Sequence, residues 1–230
     1  MDVEAQEPNK GGKKNMEVIL MEATAFPAEI CGAAAAVCTD SDNYESALKH
    51  AMESGHTSVL EHAVFTFEVE GLSRAALAQL TRHRLASFDV QSQRYVKRDT
   101  DWCKLVIPDS IRKSELGDEA IRCMIDSMQM YQKLLDAGIP AEDARYVTPQ
   151  AVPTKLIMTM NARELLHFFS LRTCNRAQWE IRQMADKMLK ICRKVAPEIF
   201  GKAGPGCVTG KCLEKRPCGK PRNCGEWDPQ

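Results

Sequence analysis

From Phe65 to Glu70 the chain reads Phe-Thr-Phe-Glu-Val-Glu, apolar and polar residues alternating with a period of two. Successive side chains of a strand point to opposite faces, so this segment buries Phe65, Phe67 and Val69 and turns Thr66, Glu68 and Glu70 to a polar face. One face is therefore core and the other polar, as in a sheet with one wet side. Helices must then cover the apolar side. The last third of the chain holds the clearest one: Ile181, Met184, Ala185, Met188, Ile191, Cys192 and Val195 recur at helical spacing, with Pro197 near the end.

The remaining segments contain more helix than strand. Residues 17–40 read as a strand followed by an alanine-rich helix through Ala33 and Ala36. Asp42 with Glu45 forms a capping box for a helix through Ala47, Leu48 and Met52 that stops at Gly55. Ser73 caps the next helix, whose apolar positions Ala76, Leu77 and Leu80 run into Arg82-His83-Arg84. Ser87 to Arg98 lacks a helical period and reads as loop or extended chain, and Leu105 to Ile107 as a short strand. A long helix fits Asp118 to Ala137, ended by Gly138 and Pro140, then a short one from Ala141 to Tyr146 and a strand from Lys155 to Met160. Asn161 with Glu164 makes a second capping box, for a helix to about Arg172. The expected class is α+β. Beyond Gly201 the composition shifts to Gly, Pro, Lys and Cys. The organisation is therefore a disordered polar extension over 1–15, a domain over 16–200 and a tail over 201–230.

Composition excludes several function classes. No window approaches the ~20 apolar residues of a membrane helix, and the polar start has no secretory pattern. Basic and acidic residues balance, 31 against 31, which argues against a surface built for nucleic acid. The expectation is a cytoplasmic protein without nucleic-acid or membrane partners, whose ten cysteines stay reduced. Cys31, Cys38, Cys123 and Cys192 have apolar neighbours and read as core residues, while Cys103 and Cys174 receive no role. The tail thiols Cys207, Cys212, Cys218 and Cys224 suggest zinc, but their gaps of four, five and five residues are not CxxC knuckles. No metal is assigned, with that set as the alternative.

Basic residues gather in two places. Arg82-His83-Arg84 cannot all face one packing surface, since consecutive helical residues point about 100° apart. Ser92, Gln93 and Arg94 follow, so the segment offers guanidinium forks, a hydroxyl and an amide to a phosphorylated ligand. A solvated basic helix end explains the same charges. Arg163 and His167, four apart, share a helix face, with Arg172 and Arg176 beyond and Arg145 upstream. His56 and His62 flank the start of the alternating strand in no zinc-helix spacing. GxGxxG, GxxxxGK[ST] and GxSxG are absent, so a nucleotide would not be held in the Rossmann or P-loop manner.

Arg82-His83-Arg84, seven residues, then Ser92 resembles the RHR-x7-S signature of the flavin-dependent thymidylate synthases. Gly55-His56 with Glu61-His62 is similar to the family's segment upstream of that signature, and Asn161 to Arg182 resembles its second hallmark region. The three blocks keep the family's order over roughly 17–200. The resemblance implies a central antiparallel sheet with flanking helices in an obligate homotetramer, with active sites at subunit interfaces. It implies reductive methylation of dUMP to dTMP, methylenetetrahydrofolate giving the one-carbon unit and NADPH reducing the FAD cofactor. By motif position, His56, Ser58, Arg82, His83, Arg84, Asn161, Arg163 and His167 would contact FAD. Gln79, Arg82, Ser92, Gln93, Arg94, Arg145 and Arg172 would contact dUMP, with Arg172 catalytic through its hold on the pyrimidine. The family needs no active-site cysteine nucleophile. The chain departs from the pattern at Asp89-Val90, where many members carry Asn-Glu, and at Arg176, a histidine in some relatives. His167 stands where other members carry asparagine; both can hydrogen-bond a flavin edge.

Overall fold

The structure is a computed structural model of the chain and describes residues 16–97, 104–210, 212 and 214–222. The expectations for the extension over 1–15 and for Cys103 and Cys224 lie outside the described residues. In chain order the elements are β1 (Glu17–Ala23), α1 (Pro27–Thr39), α2 (Tyr44–Glu53), β2 (Val64–Ser73), α3 (Arg74–Leu80), β3 (Ala86–Val90), α4 (Asp109–Arg112) and α5 (Gly117–Asp136). After these come α6 (Ala141–Ala144), β4 (Pro153–Asn161), α7 (Ala162–Arg172), α8 (Trp179–Val195), α9 (Pro197–Phe200) and α10 (Gly206–Thr209). Helix outweighs strand. Among the described residues no helix is long and apolar enough to cross a membrane.

Contacts divide the chain into two compact units. The larger comprises Glu17–Val69, Ala78–Asp89 and the chain from Leu156 on. It holds most of a four-stranded sheet ordered β1-β2-β4-β3. The end of β1 meets the start of β2, Thr24 N–H donating to the Val64 carbonyl, and Ala162 after β4 donates to Ala63 before β2. Both pairings are therefore antiparallel. Phe65, Phe67 and Val69 are buried while Thr66 and Glu68 are only partly covered, and Thr66 meets Thr159 across the strands at 2.9 Å. The covered side is packed by α7 and α8, where Phe168, Phe169, Ile181, Met184, Met188 and Leu189 are fully buried. Phe65 meets Phe200 edge-on at 5.4 Å, and Phe200 meets Phe169 at 5.9 Å.

The smaller unit, in its described part, comprises Met16, Glu70–Leu77 and Val90–Lys155. Its core forms on α5, whose buried Met128 and Tyr131 pack with Leu105, Ile107, Ala144 and Val152. Gly138, at φ +83°, ends that helix in the left-handed conformation that glycine adopts without a Cβ clash.

Several local expectations are corrected. The cap of α2 is Asn43, whose side chain accepts from Ser46 N–H, one residue past Asp42. Helix α3 stops at Leu80, so Arg82-His83-Arg84 lies in a turn instead of a helix end; Ser73 Oγ does cap it, through Ala76 N–H. The extended chain after Ser87 includes a true strand, β3, but Leu105 to Ile107 forms none. Val106 donates to Ala151, and Pro108 has no N–H to continue a ladder, so Leu105 and Ile107 serve as core without strand geometry. Among the presumed core thiols, Cys31 and Cys192 are buried, and burial pushes the Cys31 thiol up to about 11. Cys38, in the last turn of α1, and Cys123, off the buried stripe of α5, are exposed. Val195, placed on the apolar stripe of α8, is exposed at its last turn.

Candidate active site

Asn161 is the hinge of the arrangement. Its side chain accepts from Glu164 N–H at 2.9 Å, which starts α7 at the end of strand β4. In a reciprocal capping box the Glu164 carboxylate would turn back to the cap. Here it turns inward, where it is 5% exposed, and meets Nδ1 of the equally buried His83 at 2.9 Å. The opposite ring nitrogen of His83, Nε2, accepts from Nε of Arg172 at 2.9 Å, two turns further along α7.

The partners fix the proton. A guanidinium only donates, so Nε2 must be the bare nitrogen and Nδ1 carries the hydrogen given to Glu164. His83 is thus a neutral imidazole between a carboxylate and a cation. Burial lowers its pKa most; the Glu164 hydrogen bond pulls the other way, and Arg172 and His167 lower it further. The ring is also braced by Phe168, edge-on at 5.0 Å. Arg172 is half-buried, and its Nη groups extend beyond the nitrogen used to hold His83.

Around this chain the other expected residues in the larger unit are mostly exposed. Arg82 and Arg84 flank His83 in the turn, and their side chains have no hydrogen bond or ion pair among the described residues. Arg163 pairs with Glu61, and His167 stands beside His83 with ring centroids 6.2 Å apart. His56 and Ser58 open the 3-10 turn before β2 and are exposed. Gln79 sits one turn before His83, and its Oε1 is buried without a hydrogen-bond partner. A buried acceptor in that condition costs stability unless a donor arrives.

The smaller unit gathers the other expected group. Arg94 Nε donates to Glu142 Oε2 at 2.8 Å and its guanidinium lies over the Tyr95 ring, while Arg145 Nε donates to the Glu142 carbonyl, also at 2.8 Å. Glu142 therefore holds two arginines together, and Ser92 Oγ accepts from Arg94 N–H. Gln93 is half-buried in the same turn. Glu142 had no place in the sequence reading, and Glu164 and Glu61 entered it only as a capping residue and as part of a family block; none was read as the partner of a site residue, because the sequence signalled the basic side chains and not the carboxylates that hold them.

The profile of the family described as "Thymidylate synthase complementing protein" matches residues 19–198, most of the chain. A flavin-dependent thymidylate synthase of Geobacter sulfurreducens is 46% identical over 222 residues, covering 89% of this chain and 94% of that one. The chain belongs to the flavin-dependent thymidylate synthase family. Solved members of similar fold include thymidylate synthase X of Helicobacter pylori with FAD and dUMP, at a TM-score of 0.70 and 26% identity, covering 86% of this chain and all of that one. A UMP/dUMP methylase of Streptomyces cacaoi, bound with 5-bromo-dUMP, gives the same TM-score at 28% identity, over 81% of this chain and 93% of that one. The family match stops at 198, so the cysteine-bearing tail lies outside it.

Proposed function

We infer that this chain is a flavin-dependent thymidylate synthase: it methylates dUMP to dTMP, with FAD as cofactor and methylenetetrahydrofolate and NADPH as co-substrates. The observation that carries the reading is the buried Glu164–His83–Arg172 chain, set beside two arginines with no partner among the described residues, in a member of this family. The residues suit the groups they would hold. Arg82 and Arg84 have unused donors for a diphosphate such as that of FAD, with Arg163, His167, His56, Ser58 and Asn161 as its further contacts. The orphaned Gln79 oxygen suits a donor such as the imide N–H of a uracil ring. Arg94 and Arg145, held by Glu142, suit the phosphate of dUMP, with Ser92 and Gln93 beside them.

In this reading the protein positions groups and stabilises charge. FAD, when bound, supplies the hydride that reduces the transferred carbon. Arg172 places its Nη donors against the pyrimidine carbonyl, where negative charge grows during attack. His83 fixes Arg172 through Nε2, and Glu164 fixes His83 through Nδ1, so the cation is oriented before substrate arrives. His83 thereby acts on dUMP through Arg172 besides any contact it makes with FAD.

The catalytic domain spans 16–200, with 201–230 appended. We place the enzyme in the cytoplasm as a homotetramer whose sites draw residues from different copies of the chain. This placement rests on the resemblance to the family; within one chain the residues named for dUMP fall into two groups, Gln79, Arg82 and Arg172 in one unit and Ser92, Gln93, Arg94 and Arg145 in the other.

The test is the visible spectrum of the purified chain through FAD addition, desalting and dUMP addition, followed by tritium release from 5-tritiated dUMP. A retained flavin band that dUMP perturbs, with release dependent on NADPH and the folate, is the expected result. A chain that cannot be loaded with FAD overturns the reading.

A further inference from the structure

Ten cysteines are many for a chain whose proposed chemistry uses none. A cavity of about 260 Å³ in the larger unit has Cys174, Cys207, Cys212 and Cys218 all in its wall. Cys174 comes from the loop between α7 and α8, two residues past Arg172, and the others come from the tail. We propose that this cavity is a binding site for a thiophilic divalent cation, zinc, with those four sulfurs as ligands.

The spacing within the tail is not that of a zinc knuckle, but backbone amides face two of the sulfurs. Lys220 N–H donates to Cys218 Sγ at 3.4 Å across Gly219, which takes φ +69° to bring the amide round. Arg222 N–H likewise points at Cys207 Sγ, at 3.5 Å. Cys218 Sγ also faces the Lys220 carbonyl at 3.4 Å, to which its S–H donates until a metal displaces the proton. Arg176 and Lys220 line the same cavity, and Arg176 is held there by the Arg216 carbonyl at 2.6 Å. Binding releases four S–H protons to solvent and leaves a doubly negative centre, which these cations offset.

The tail also needs a staple. It buries few apolar side chains beyond Ala203 and keeps its place by polar contacts to the loop that follows Arg172. Arg222 Nη1 donates to the Thr173 carbonyl at 2.7 Å and to both Asp186 oxygens, and Asn175 Nδ2 donates to the Lys220 carbonyl. A metal bridging Cys174 to the tail thiols would close that attachment covalently. Among the described residues no three His, Cys, Asp or Glu side chains already converge on one point. Ligation therefore requires the four cysteine side chains to turn toward the cavity centre, to the ~2.3 Å of a zinc–sulfur bond. Cys174 is what the tail sequence alone did not offer.

The experiment uses the full chain, purified reduced and without chelator. Elemental analysis should find about one zinc per chain, and exchange with Co²⁺ should give the red-region bands of a tetrahedral thiolate complex, clear of flavin absorption. Cys174→Ser and Cys207→Ser should each lower the bound metal to below roughly a tenth of that. Cys38→Ser and Cys123→Ser should leave it unchanged. A folded, reduced chain that takes up neither ion overturns the proposal. So does a cobalt spectrum of oxygen-ligated octahedral form, which decides the matter even if the serine variants fail to fold. Loss of metal in Cys224→Ser with retention in Cys174→Ser overturns the ligand set.

Discussion

A carboxylate buried against a neutral imidazole is tolerable only while each satisfies the other, and this sets what substitutions at Glu164 do. Glu164→Ala leaves the Nδ1 hydrogen of His83 without an acceptor in a water-poor site, which should cost about 1–3 kcal/mol. Glu164→Gln keeps an acceptor oxygen and should recover most of that loss; equal denaturant midpoints for the two variants would remove the hydrogen bond from the account. The same site sets a pH dependence. Burial holds the folded-state pKa of His83 below its unfolded value, so between the two the unfolded chain binds the extra proton. Its share of stability is fully present above the ordinary imidazole value of about 6.5 and falls as pH drops below it. Protonation would also set a second donor against Arg172. Melting temperature should therefore decline from about pH 7.5 to 5.5 more steeply in the parent than in a folded His83→Gln variant; parallel curves would count against it. The sequence made His83 and Arg172 conspicuous, but nothing in it paired them, since 89 residues separate the partners. Glu164 was visible only as a capping residue, because a capping box and a buried ion partner have the same local signature.

Elements were legible where a periodic pattern met a physical stop. Strand β2, helices α5 and α8 and the caps at Ser73 and Asn161 follow from alternation, stripe, glycine and side-chain oxygen, all local signals. The errors arose where tertiary contacts set the outcome. Arg82-His83-Arg84 continues a helical stretch in sequence, yet His83 must reach Glu164, so the helix gives way to a turn at Leu80. Cys123 looks apolar in sequence but lies off the stripe that α5 buries. The contact of α1 with α2 was likewise hidden in an alanine-rich run. A Cβ added at Gly32 would stand 2.6 Å from the Tyr44 carbonyl oxygen and 3.0 Å from its carbon, both backbone atoms that cannot rotate away. Gly32→Ala should thus force the two helices apart and cost about 1–3 kcal/mol. An unchanged urea midpoint would show that the helices can shift freely there.

At the scale of the whole molecule, the proposed homotetramer would share each active site between copies of the chain. The chain presents two sets of anchored arginines, one on the Glu164–His83–Arg172 chain and one on Glu142. A dianionic nucleotide of this size needs a cation at its phosphate and a donor at its base, so each set alone can hold one end of dUMP. If sites are built from different copies, a defect in one set can be complemented by a copy defective only in the other. Arg145→Ala and Arg172→Ala should each abolish most dTMP formation while remaining folded and flavin-loaded. Unfolded and refolded together, the two inactive variants should then regain turnover, because some interfaces receive an intact Arg145 from one chain and an intact Arg172 from another. Light scattering would have to report the proposed tetramer in both parents and in the mixture. Activity that stays absent in a mixed, tetrameric, FAD-bound sample would mean that both arginines serve from the same copy. Recovery would instead explain why residues so far apart in sequence carry matching chemistry: the nucleotide meets them across an interface, and no single chain has to bring them together.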